Sequence, residues 1–184
     1  MKKHSIAMAV TVGVLMVNIA MATAPNIALK GNFLYNWSTF EGYRTSSLGW
    51  GATIEKHQGY GQRSFQFMFD YIYRLDENSE PLPVFDDVLY FGIGARQYTP
   101  FNEPMNGPYI GITSGVGIPK EAGVFWDVNF LAGYQIIRGR IAVDLNVQLG
   151  MNVLSYRQFT QVGSLYYNYW GFGFRPGISI GFAI

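Results

Sequence analysis

The chain has 184 residues, with 13 Lys and Arg against 12 Asp and Glu for a formal net charge of +1, and no cysteine. Charged residues make up 14% and aromatic residues 17% of it, and its 22 glycines stand well above the usual ~7%. Disulfide frameworks and thiolate chemistry are excluded. Nucleic acid is disfavoured as a partner for want of clustered cations to neutralise phosphates. A mean hydropathy of +0.09 does not fit a bundle of membrane helices, and the abundance of aromatic and β-branched residues does not fit a disordered chain.

The first residues read as an export signal. Lys2 and Lys3 precede an apolar stretch from Ile6 to Ala20, interrupted mildly by Thr11 and Asn18. Small residues at Ala20 and Ala22 place the cleavage after Ala22; cleavage after Ala24 is poorer, because Pro25 would follow the scissile bond. The stretch is short for a retained membrane helix. The expected division is a signal peptide over 1–22 and one domain over 23–184.

From there a period of two recurs in eight segments. Leu29, Phe33, Tyr35 and Trp37 alternate with Lys30, Asn32, Asn36 and Ser38, and Leu48, Trp50, Ala52 and Ile54 with Gly49, Gly51, Thr53 and Glu55. Phe65, Phe67, Phe69, Tyr71 and Tyr73 alternate with Gln66, Met68, Asp70, Ile72 and Arg74; Leu89, Phe91, Ile93 and Ala95 with Tyr90, Gly92, Gly94 and Arg96. Ile110, Ile112, Val116 and Ile118 oppose Gly111, Thr113, Gly115 and Gly117. The sixth segment, Val124 to Ile136, sets Trp126, Val128, Phe130 and Tyr134 against Asp127, Asn129, Gly133 and Gln135, with Phe125 and Leu131 out of pattern. The seventh, Ile141 to Val153, opposes Val143, Leu145, Val147 and Leu149 to Asp144, Asn146, Gln148 and Gly150; the eighth, Trp170 to Ile184, opposes Phe172, Phe174, Ile178 and Ile180 to Gly173, Arg175, Gly177 and Ser179. Side chains alternate faces along a strand, so each segment has one large apolar face and one small or polar face.

The connections fit antiparallel hairpins. Arg138-Gly139-Arg140 is a tight link and His57 to Gln62 a short one, whereas Leu75 to Asp87 and Gln158 to Leu165 read as long polar loops. Thr99 to Pro108 holds three prolines and is not expected to form a central strand. The polar face is poor in Lys and Glu, a poor surface for water but a suitable lumen. Eight stripes of bulky apolar side chains are too much for an eight-stranded interior. Trp37, Tyr73, Trp126, Tyr134, Tyr169 and Trp170 fall toward strand ends, where interfacial aromatic girdles occur. The fold class is therefore all-β, an eight-stranded antiparallel up-and-down transmembrane barrel; the competing reading is an exported, lipocalin-like barrel with the apolar face inside.

The chain resembles the small outer-membrane β-barrels of Gram-negative bacteria, of the OmpA-transmembrane-domain and OmpX type. More narrowly, Ile27-Ala28-Leu29-Lys30-Gly31-Asn32-Phe33-Leu34-Tyr35, Gly133-Tyr134-Gln135 and Phe174-Arg175-Pro176-Gly177-Ile178-Ser179-Ile180 are similar to stretches of an uncharacterised small-barrel family. The resemblance implies an outer-membrane location, both termini on the periplasmic side, insertion by the barrel-assembly machinery, and contact with membrane lipid and lipopolysaccharide. Such barrels commonly end in Phe or Trp, whereas Ile184 stands last here, with Phe182 two residues before it.

Four sets of residues are candidate sites. By parity Lys30, Glu55, Asp70, Arg96, Asp127, Asp144 and Arg175 share the lumen, nearly cancelling in charge; paired, they fill it, and unpaired they would form a selectivity constriction or proton path. Glu55 and His57 share a strand face and would be the acid and base of a lipid A deacylase-like enzyme, but no Ser stands in a His-x-Ser arrangement with His57. Asp76, Glu77, Glu80, Asp86 and Asp87 offer oxygens for a hard cation, although a solvated loop is the simpler reading, and no cofactor or metal is expected. Tyr156, Phe159, Tyr166, Tyr167, Tyr169 and Trp170 form either a contact surface for an external partner or an extension of the aromatic girdle. The expected function is that of a monomeric, non-enzymatic membrane protein acting through its external loops, with an enzyme or a narrow pore as the alternatives.

Overall fold

The computed structural model describes residues 25–41, 43–59, 62–75, 87–100, 104–120, 123–160 and 163–184. The signal peptide expected over 1–22, and Asp76, Glu77, Glu80 and Asp86 of the acidic segment, lie outside the described residues; Asp87 is the first residue of a strand.

Eight strands follow one another: β1 (Ile27–Phe40), β2 (Tyr43–His57), β3 (Arg63–Arg74), β4 (Asp87–Tyr98), β5 (Gly107–Pro119), β6 (Val124–Arg138), β7 (Ile141–Thr160) and β8 (Gly163–Ala183). Each pairs antiparallel with the next, and β8 closes on β1. Starting at Ile27, the register passes through Lys56, Phe65, Ala95, Ile112, Phe130, Leu149 and Phe174 and returns to β1 at Trp37, ten residues up the strand (27 to 37). Eight strands with that stagger belong in the ~35–45° tilt regime of narrow barrels whose interiors are just filled by side chains.

The alternation read from the sequence is the alternation of burial. β1 and β3 switch strictly between exposed or half-buried and buried positions along most of their length. The outer wall is apolar: Phe33, Phe67, Ile93, Ile110 and Phe130 stand between 59% and 74% exposed. The inner positions hold Asn, Ser, Thr, Gln and the charged residues. A lipocalin-like barrel would have these faces reversed. An apolar wall with every strand edge paired meets the two demands of a bilayer, an oily surface and satisfied backbone groups.

Two apolar clusters cap the polar lumen. At the lower end, where β1 begins, Ala28, Tyr98, Met105, Tyr109, Leu131, Ile137, Ala142 and Ala183 pack together. At the upper end are Phe40, Ile72, Val88, Tyr90, Phe125 and Leu154. The two residues that break the β6 alternation, Phe125 and Leu131, thus contribute one to each cap. Met105 comes from the proline-containing β4–β5 connection: it is fully buried with φ 56°, its carbonyl accepts from Gln135 Nε2 at 2.8 Å, and Asn106 Oδ1 accepts from Ile137 N at 3.2 Å. This connection is therefore a plug as well as a link, and Pro108 is the second residue of β5, a strand start where a missing N–H is tolerated.

One connection differs from expectation. Gln158 to Leu165 is not a polar loop: the β7–β8 ladder continues through Gln158↔Leu165 and Phe159↔Ser164 to Thr160↔Gly163. Aromatic residues on both arms favour that pairing over a coil. Pro176, inside β8, leaves its mark on closure: the β1–β8 ladder runs to Leu34↔Gly177 and resumes at Trp37↔Phe174, skipping Tyr35 and Asn36. The Gly139 link is as read, with φ 61° at the first turn position.

Candidate functional site

The seven charged residues assigned to the lumen are all buried inside it, and the structure sorts them into two layers. In the lower layer Lys30 of β1 reaches Glu55 Oε2 at 2.7 Å, Asp144 Oδ2 at 2.9 Å and Gln135 Oε1 at 2.6 Å, using all three ammonium protons. Arg96 Nη1 reaches Asp144 Oδ2 at 2.7 Å and Glu55 Oε2 at 3.2 Å, and its guanidinium lies 4.2 Å from the centre of the Tyr109 ring. The carboxylates accept further bonds from Tyr98 Oη to Glu55 at 2.6 Å, from Tyr109 Oη to Asp144 at 2.6 Å, and from Ser64 Oγ to Glu55. Two cations and two anions thus balance, each held by several partners. That is the condition under which buried charge is tolerated.

The upper layer is smaller. Arg175 Nη2 pairs with Asp127 Oδ2 at 2.8 Å, and Tyr90 Oη donates to Asp127 Oδ1 at 2.8 Å. Arg175 also lies 5.1 Å from the Tyr90 ring centre. Glycines make the space: a Cβ on Gly115 would enter the Tyr90 ring, and one on Gly92 would come within 2.7 Å of Met68 and 2.9 Å of Tyr90. Asp70 stands apart, accepting from Asn32 Nδ2 at 3.0 Å and making no ion pair among the described residues. Among the described residues the lumen therefore holds three cations, Lys30, Arg96 and Arg175, and four carboxylates.

His57 is buried near the lower end of β2, and its Nδ1 accepts from Gly59 N at 3.2 Å. Glu55 is already bonded by Lys30, Ser64, Arg96 and Tyr98, so its carboxylate serves the ion network and has no free oxygen for an acid–base pair with His57.

The aromatic candidates divide by face. β7–β6 pairing ends at Ser155 and β8–β1 pairing at Gly171, with Glu41 N still donating to the Trp170 carbonyl, so beyond Ser155 and Trp170 the β7–β8 ladder continues as a two-stranded ribbon. Tyr156, Tyr167 and Tyr169 stack along one face of it, with ring centres 6.3 and 6.4 Å apart and planes tilted by 24° and 15°. Tyr156 and Tyr169 pack against the upper apolar cap, which takes Tyr169 out of the girdle expected for it. Trp170 faces outward and meets Trp126 edge-on at 6.4 Å, with Val153 paired to both and buried between them. Tyr166 is exposed, and the side chain of Phe159 lies outside the described residues. Tyr90, Tyr98, Tyr109 and Gln135 belong to the lumen networks and were not singled out from the sequence as site residues. Parity with Arg96 on β4 signals Tyr90 and Tyr98, parity with Asp127 on β6 signals Gln135, and parity with Thr113 on β5 signals Tyr109. Nothing in the sequence signals Met105.

A closed antiparallel barrel of eight strands with an apolar wall and a polar, ion-paired lumen is a transmembrane β-barrel. Its fold is shared by two solved outer-membrane structures. Neisserial surface protein A is 10% identical, with a TM-score of 0.54, covering 86% of this chain and 99% of that one. The outer membrane protein AlkL, solved by solid-state NMR in lipid bilayers, is 10% identical with a TM-score of 0.56, covering 90% of this chain and 93% of that one. No protein-family model matches the chain, and no curated protein matches it by sequence.

Proposed function

We propose that the protein is a monomeric, non-enzymatic barrel of the outer membrane that acts at the cell surface through the β7–β8 ribbon, with the lower end toward the periplasm. The observation that carries this reading is the contrast between a lumen filled with bonded side chains and a ribbon that outreaches the rest of the wall. β7 and β8 have 20 and 21 residues, the other strands 12 to 15. Extra strand beyond the wall orders residues at an entropic cost, and here it presents the exposed Tyr166 and Tyr167, rigid side chains suited to recognition. The ribbon's chemistry suits a glycan or a protein surface, including the lipopolysaccharide around it. The engagement of Glu55 with the ion network speaks against a deacylase-like site.

An epitope inserted between Thr160 and Gly163 tests the orientation: antibody labelling of intact cells is expected, and labelling only after permeabilisation overturns it. Mass spectra of lipid A from cells with and without the gene test the enzyme alternative. Identical spectra are expected, and a lipid change abolished by His57→Ala would replace this reading with catalysis.

A further inference from the structure

Three clefts of the outer wall are lined by described residues. One of about 600 Å³ lies around Phe67, Phe91 and Val116, and one of about 490 Å³ around Phe33, Leu48 and Ile178; no charged side chain lines either. The third, about 740 Å³, differs. Its floor is made by the small outward residues Ala95 and Ala132 with the backbone of Gly111, and its walls by Phe65, Ile110, Ile112 and Phe130. Ala95 pairs with Ile112 and Ala132 with Ile110, so each large side chain stands beside a small one, and a trough is left in a wall otherwise built of bulky residues.

At its lower end this trough meets Arg63 and Gln97, an exposed pair directly across the β3–β4 ladder. Arg63 Nε donates to Gln97 Oε1 at 2.9 Å, and Gln97 Nε2 donates to the carbonyl of Tyr98 at 3.2 Å. That chain of bonds fixes the guanidinium at the mouth of the trough. The two terminal amino groups of Arg63 make no bond within the protein among the described residues. Arg63 is the first residue of β3, so the cation lies where the apolar wall ends and the headgroup region of the bilayer begins. A fixed, outward guanidinium suits a phosphate, and an apolar trough rising from it suits an acyl chain.

We propose that this trough is a binding site for one anionic glycerophospholipid, with its phosphate on Arg63 and an acyl chain lying over Ala95 and Ala132. The other two clefts take lipid chains without regard to headgroup. A basic residue at a membrane surface favours anionic lipid by about 1 kcal/mol, or roughly fivefold. The occupant is thus chosen by charge at one end and by shape at the other, which distinguishes it from the lipid annulus.

Native mass spectrometry of the full barrel, reconstituted with equal phosphatidylglycerol and phosphatidylcholine, tests the site. The wild type should retain one phosphatidylglycerol in about fivefold preference. Arg63→Gln should abolish the preference, Arg63→Lys should keep most of it, and Ala132→Phe should lower retention of both lipids by filling the trough. Arg138→Gln, a charge removed from another lower-end position, should change nothing. Heat-modifiable gel mobility of each variant confirms that it is folded. Equal retention of the two lipids by the wild type, an unchanged preference in folded Arg63→Gln, or an equal loss in Arg138→Gln would each overturn the proposal.

Discussion

Arg96 and Asp144 meet at 2.7 Å across the lumen although 48 residues separate them in the chain. The contact joins β4 to β7, strands that share no ladder, so the lower ion cluster ties together parts of the wall that backbone hydrogen bonds leave independent. Lys30 does the same between β1 and β7, and its bond to Gln135 reaches β6. The lumen network thus acts as internal bracing.

Removing one member of this cluster should cost more than removing a pair. Glu55→Ala leaves Lys30 and Arg96 facing Asp144 alone, and loss of a buried partner costs about 3–5 kcal/mol. Adding Lys30→Met to it restores the charge balance and should recover a large part of that loss. Urea titration followed by heat-modifiable mobility reads both; a double variant less stable than Glu55→Ala would contradict the bracing.

Planar-bilayer recordings of the wild type should show no steady large conductance, because side-chain networks and two apolar caps occupy the lumen. Replacing both Arg175 and Asp127 by Ala removes the upper crossbar without stranding a charge, and leaves Asp70 in the widened section. Any conductance that appears should be cation-selective by reversal potential. Anion selectivity would contradict this account of the lumen charge.

Gly115→Val forces a branched side chain into the Tyr90 ring. Overpacking of this kind typically costs about 1–3 kcal/mol, so the variant should unfold at lower urea than the wild type. The same substitution combined with Tyr90→Ala should be tolerated better than Gly115→Val alone, since the ring that it strikes is gone. Urea midpoints of the three variants check the relation.

Replacing Tyr167 by Ser removes the middle ring of the ribbon's stack and both of its ring contacts. Stacked aromatic pairs are worth about 0.5–1.5 kcal/mol each, so amide exchange in 163–170 should quicken several-fold while exchange in β3 and β4 stays unchanged. Equal exchange in the ribbon would show that the stack does not order it.

Most of the wall is legible in the sequence because one face of every strand is obliged to be apolar. Ile110, Ile112, Val116 and Ile118 announce β5 even with glycines between them. The same parity places Lys30, Glu55 and Arg96 inside. It does not tell which charge meets which, since partners such as Arg96 and Asp144 depend on the barrel's stagger and on side-chain reach. The caps are less legible: Phe125 and Leu131 register only as irregularities in β6, and Met105 hides in a proline-containing connection with no period. The ribbon is misread as a loop because Gln158, Thr160, Gln161 and Ser164 dilute its apolar pattern. Beyond the membrane a strand needs no greasy face, so that signal is absent where the ribbon begins.

The gap that Pro176 leaves between β1 and β8 makes the wall unequal around its circumference. Seven of the eight seams run without a break, and the longest, β7–β8, adjoins the interrupted one. The interrupted seam is also the one that joins the first strand to the last, and it can form only after every other strand is made. The cylinder is therefore sealed along its weakest line, and a barrel caught before completion would be an open, curled sheet with these two edges still apart. In the finished protein the amide of Tyr35 points to that line, whereas that of Asn36 points to Ser47 of β2 in an unbroken ladder, so the Tyr35 amide should exchange with solvent deuterium ahead of its neighbours in β1.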